Sequence, residues 1–107
     1  MTLAELAALA AEKVPDFKRL VRLERWVAGE RCVVWNDSPA ALLMAVAVVV
    51  AKGTDVMLLG RRRFSIARDV GPGPVYSDDL PMAEPESIAR AALVALLRAH
   101  GVEVDNG

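Results

Sequence analysis

The sequence predicts a small single domain of the α/β or α+β class, with a central sheet of about three to five short strands packed by three or four helices. Three observations predict it. The chain has 107 residues, the usual size of one domain. Its composition, 54% hydrophobic against 25% charged, supports a real core and excludes a disordered tail. Stretches of helical periodicity also alternate along the chain with short β-branched runs bounded by Gly, Pro and Asn.

The elements follow in order. Residues 2–13 read as a helix: Thr2 and Glu5 form a capping-box pair, and Leu3, Leu6, Ala7 and Ala10 share a face. Pro15 pushes Val14 out of the helical region and ends that helix. Residues 16–28 favour a second helix, with Asp16 as cap, Phe17, Leu20, Val21 and Val27 on one face and Gly29 just past the end. The competing reading makes Val21, Leu23 and Val27 one side of a strand and Ala28-Gly29-Glu30 a hairpin turn. The N-terminal part, residues 2–28, is therefore expected to be helical.

A strand–helix–strand core is expected over residues 31–60. Cys32-Val33-Val34-Trp35 is a continuous apolar run, read as a buried strand. Asp37 or Ser38 caps the next helix, Pro39 fits its first turn, and Gly53 stops it after Lys52. Residues 40–51 are apolar on every face, so this helix must be covered on most sides. Val56-Met57-Leu58-Leu59 is a second buried strand, and the spacing of the unit, 32–60, suits a right-handed βαβ crossover. From Arg61 to Val70 an arginine-rich strand or turn follows, with Phe64, Ile66 and Arg68 candidates for one face. Gly71-Pro72-Gly73-Pro74 opens a proline- and glycine-rich loop to Pro85. A last helix covers 86–100, Gly101 ends it, and Val102 to Val104 suit a short edge strand.

Charge and composition exclude several function classes. Thirteen basic residues oppose fourteen acidic ones, so the chain is no general polyanion binder. The balance is uneven: residues 1–63 carry ten basic and seven acidic groups, residues 64–107 three and seven. One cysteine and one histidine exclude a disulfide framework and a Cys- or His-rich metal site. No signal peptide is visible, and the longest uncharged apolar run, Pro39 to Ala51, is too short to span a bilayer, so the chain reads as cytoplasmic with no membrane partner. The absence of Gln and the excess of Arg over Lys fit a thermophile or a GC-rich genome.

Three candidate sites follow. If the strands at 32–36 and 55–60 were parallel, Ser38 at a helix start would face Arg61, Arg62 and Arg63 across one crevice, a place for an anionic ligand. Lys18, Arg19, Arg22 and Arg25 form a basic face, with Trp26 nearby, that could track nucleic acid. Cys32 could serve a small thiol enzyme or sulfur carrier, although a cysteine inside an apolar run is ordinarily a small hydrophobe. His100 at a helix end reads as structural, and Asp78-Asp79 as solvated. The order strand, polar turn, apolar helix, glycine, strand from Cys32 to Gly60 resembles flavodoxin-like and sulfur-relay units. A sulfur relay needs its cysteine in an exposed loop, where Cys32 is not expected.

No catalytic constellation, cofactor motif or metal-ligand spacing stands in the sequence. The expected function is therefore a non-catalytic protein-interaction or regulatory module, a homodimer whose contact covers the apolar helix. The alternatives are an anion or nucleic-acid binder using the Arg61–Arg63 cluster, and the thiol chemistry of Cys32.

Overall fold

The computed structural model describes residues 1–36, 38–52, 56–59, 62–67, 74–78 and 83–104, with the backbone alone at Arg25, Val34, Trp35 and 56–59. Among the described residues, four helices and two small antiparallel sheets form one compact α+β domain.

The order is α1 (Leu3–Lys13), α2 (Pro15–Val21), β1 (Arg22–Val27), β2 (Glu30–Trp35), α3 (Pro39–Lys52), β3 (Val56–Leu59), β4 (Phe64–Ala67), β5 (Val75–Tyr76) and α4 (Pro85–Ala99). Helix α1 begins with the expected capping box. Glu5 N–H donates to Thr2 Oγ1, and Thr2 N–H donates to Glu5 Oε1, both at 3.1 Å. The core is built around α4, whose Leu93, Val94, Leu96 and Leu97 are fully buried against α1, α3 and β4. Leu6, Phe17, Val21, Leu42, Val46, Phe64 and Ile66 complete it. The most enclosed helix is thus α4, not the more apolar α3.

Helix α4 stops in a Schellman motif. Gly101 takes φ 78°, its N–H donates to the Arg98 carbonyl, and Val102 N–H donates to the Leu97 carbonyl at 3.0 Å. Residues 102–104 then continue without joining a strand, where an edge strand was expected. Gly53, expected to stop α3, lies outside the described residues, as do Arg68 and Asp37.

Further expectations need correction. The loop expected over 71–85 contains a short strand, β5, because Val75 and Tyr76 pair with Ile66 and Ser65 of β4. Residues 16–28 are not one helix: α2 has seven residues, about two turns, and the chain then extends into β1. The reason is the turn that follows. Ala28 at φ 53° and Gly29 at φ 82° give a two-residue turn with both φ positive, which matches the twist of paired strands and joins β1 to β2. The 30–59 region does run strand–helix–strand, but β2 and β3 lie in different sheets. Strand β2 pairs with β1, and β3 with β4, each antiparallel, so no parallel crossover forms and the flavodoxin-like arrangement does not hold. Each strand has instead paired with its neighbour along the chain through a short connection, which antiparallel pairing allows and a parallel crossover does not.

Candidate functional site

Among the described residues the hairpin of β1 and β2 is thinly covered. Its register pairs Leu23 with Val34, Arg25 with Cys32 and Trp26 with Arg31. Its principal packing on the rest of the chain is β2 against α1. None of its described side chains is buried: Trp26 is 76% exposed, Val27 53% and Val33 48%. The run at 32–35 was expected to be a buried strand, and that expectation fails at Cys32, half-buried, and at Val33. An apolar run signals burial only if a second layer covers it, and here no such layer forms over the described hairpin side chains.

Strand alternation places Arg22, Glu24 and Trp26 on one face, with Arg31 and Val33 across from them. Glu24 accepts an ion pair from Arg22 at 3.5 Å and another from Arg31. Immediately before this face, the last turn of α2 presents Lys18 and Arg19, both exposed. An open groove of about 650 Å³ runs between α2 and β1, lined by Pro15, Lys18, Arg19, Arg22, Leu23 and Glu24. The structure therefore brings Lys18, Arg19 and Arg22 together. Arg25 occupies β1 opposite Cys32, and its side chain lies outside the described residues.

Ser38 joins this end of the molecule. Asn36 N–H donates to the Val21 carbonyl at 2.8 Å, and Ser38 N–H donates to Asn36 Oδ1 at 3.0 Å. Leu42 N–H then donates to the Ser38 carbonyl, which starts α3 beside the end of α2. The crevice expected between Ser38 and the arginines 61–63 depended on parallel strands and is not formed by the sheets. Arg61 lies outside the described residues. Arg62 and Arg63 are exposed just before β4, the middle strand of the other sheet, and Arg63 lies over the Tyr76 ring with its guanidinium carbon 5.9 Å from the centroid.

A second uncovered surface lies on α3. Leu42, Ala45, Val46 and Val50 are buried, while Ala40, Met44, Val48 and Ala51 are exposed at a spacing that keeps them on one stripe. Met44 is 65% exposed, and no charged residue occurs in α3 before Lys52.

Sequence reasoning missed one cluster. Arg98, in the last turn of α4, donates to both carboxylate oxygens of Asp78 at 3.0 and 2.9 Å. It also donates to the Tyr76 carbonyl at 3.1 Å and, through two nitrogens, to the Val104 carbonyl at 3.1 and 2.6 Å. The guanidinium ties α4 to β5 and to the segment after the helix. Beside it, Ser77 is buried, its hydroxyl accepting from Phe64 N–H at 3.0 Å. These contacts join residues far apart in sequence, and only an Arg near a helix end hinted at them.

The remaining candidates lack a chemical setting. Cys32 Sγ approaches only the Glu30 carbonyl, at 3.9 Å, among the described contacts. His100 caps α4 and its Nδ1 lies 3.0 Å from the Leu96 carbonyl, the structural place expected of it. Among the described residues no three metal-ligating side chains gather, and no helix is long and apolar enough to cross a membrane. Comparison of the chain with protein-family models, curated proteins and solved structures finds no match.

Proposed function

We propose that the protein is a non-catalytic interaction module that works as a homodimer, with the exposed stripe of α3 as the contact between copies. The observation that carries this reading is the apolar, uncharged stripe Ala40, Met44, Val48 and Ala51 on a helix whose opposite face is already in the core. A helix apolar on all sides is stable in water only when most of those sides are covered. The surface needed is itself apolar and about a helix long, and a second copy supplies it at equal concentration. Two α3 helices crossing on a two-fold axis would set the stripe of one copy against that of the other, an isologous contact.

Sedimentation velocity tests the reading. The protein at micromolar concentration sediments as a dimer, and Met44→Glu sediments as a folded monomer, because each copy then brings a carboxylate into an apolar contact. A wild-type chain that is monomeric at that concentration refutes it.

A further inference from the structure

The groove between α2 and β1 leads onto the hairpin face, and the two share a chemistry. Lys18 and Arg19 line the groove, and Arg22 belongs to both groove and face. On the face, Arg31 stands directly across from Trp26. From Arg22 to Trp26 the strip extends about 13 Å along β1 at the usual strand rise. No acidic side chain pairs with Lys18 or Arg19 among the described residues, whereas Glu24 bridges Arg22 and Arg31 and fixes the two guanidiniums on one side of the hairpin. Three exposed acids lie beside the strip, Asp16 on α2 and Glu24 and Glu30 on the hairpin, while Asp78, Glu84, Glu86 and Glu103 lie on other parts of the fold.

The exposure of Trp26 is the second observation. Tryptophan is ordinarily well covered, and here it is 76% exposed on a two-stranded hairpin, with cationic Arg31 directly across from it and Glu24 next along its own strand. We infer that this strip binds single-stranded nucleic acid, the groove cations holding phosphates and the indole stacking on an unpaired base. Basic grooves that end in exposed aromatic rings bind single strands in this way, since any base offers a face to stack on. A duplex offers the phosphates alone, because its bases are already stacked. The site uses neither Met44 nor Val48, so it is independent of the dimer contact.

The test is a fluorescence titration with a twelve-residue oligothymidylate, using Trp35→Phe so that Trp26 is the reporter. Binding quenches the indole. Affinity falls with salt at a slope of about −2 in log K against log salt, for roughly three phosphates held. Lys18→Ala with Arg19→Ala, two exposed changes that leave the core alone, reduces that slope by about 1.4. Read by the anisotropy of a dye-labelled oligothymidylate, Trp26→Ala lowers affinity roughly tenfold and leaves the slope as it was. The Met44→Glu chain binds with the same affinity per copy, which separates this site from the dimer reading. Absence of binding at low salt overturns the inference. So does binding that survives both sets of variants, which would place the ligand elsewhere. Equal quenching by polyglutamate would make the strip a dock for an acidic protein segment, and equal binding of a duplex without quenching would remove the stacking role.

Discussion

Replacing Arg98 by Ala should cost the fold about 3–4 kcal/mol. The figure follows from what the guanidinium touches. The carbonyls of Tyr76 and Val104 each accept charge-assisted bonds, and a bond to a charged donor contributes roughly 1.5 kcal/mol or slightly more when partly shielded. The Asp78 pair contributes less, about 1 kcal/mol at most, because the Asp78 side chain is 49% exposed and water screens it. Loss of the clamp also loosens Val102 and Val104, which pack against the core. For a domain of this size, about 3 kcal/mol corresponds to a melting temperature lower by roughly 12–15 °C. Thermal and urea denaturation of Arg98→Ala, Asp78→Asn and the double variant would measure both terms. The coupling in that cycle should stay below about 1 kcal/mol, with most of the Arg98 effect independent of Asp78. An Arg98→Ala loss under about 0.5 kcal/mol would refute the clamp as an element of stability.

Two further predictions concern local structure. Ala28 occupies the left-handed region at φ 53°, which costs an L-residue with a Cβ about 1 kcal/mol, so Ala28→Asn or Ala28→Gly should slow amide exchange across β1 and β2 without changing the exchange of α4. Unchanged hairpin exchange would contradict that turn geometry. The hydrogen bonds from Thr2, backbone first and side chain second, hold the Glu5 carboxyl below its ordinary range. Its contribution is therefore full above the unfolded-state value and fades as pH falls through the folded one, so Glu5→Gln should flatten that acid limb of the stability curve, and an unaltered acid limb would remove the capping box from the account.

The sequence was most informative where a local rule and the tertiary fold agree. Thr2 and Glu5 announce α1 because both ends of the capping box lie within one turn. Pro39, Gly101 and the alternation of Phe64 with Ile66 mark their elements because caps and strand faces are also local. Residues 16–28 failed differently. Phe17 and Val21 are one helical turn apart and both reach the core, but Val27, six residues further, belongs to a strand and is exposed. The helical face drawn through all of them joined two elements. The decisive signal was Ala28-Gly29, where two positive φ values were needed and only the glycine advertised one.

The strand at 30–35 was legible as a strand and not as an exposed one, since hydrophobicity cannot say whether a second layer exists. The crevice expected between Ser38 and the arginines 61–63 lost its premise in the topology: helix length permits a crossover, but which strands pair is not reported by periodicity. For the basic face the sequence did better. Lys18, Arg19 and Arg22 are brought together even though the helix expected to carry them ends at Val21, because the bend into β1 keeps them beside one groove. Trp26 was legible as a neighbour of that charge. Its exposure was not, because it depends on how little covers the hairpin.

Disulfide cross-linking along α3 tests the central claim most directly. Cysteine placed singly at Met44 or Val48, in a Cys32→Ser background, should form an intermolecular bridge on mild oxidation at one of the two positions. A two-fold axis on the stripe would bring one equivalent pair of Cα atoms within the roughly 4.4–6.8 Å that a disulfide spans. Efficient bridging at one position, with none at a control cysteine replacing exposed Glu12, is the predicted result. Both stripe cysteines remaining reduced and open to a thiol reagent, on a chain that sediments as a monomer, would contradict the account.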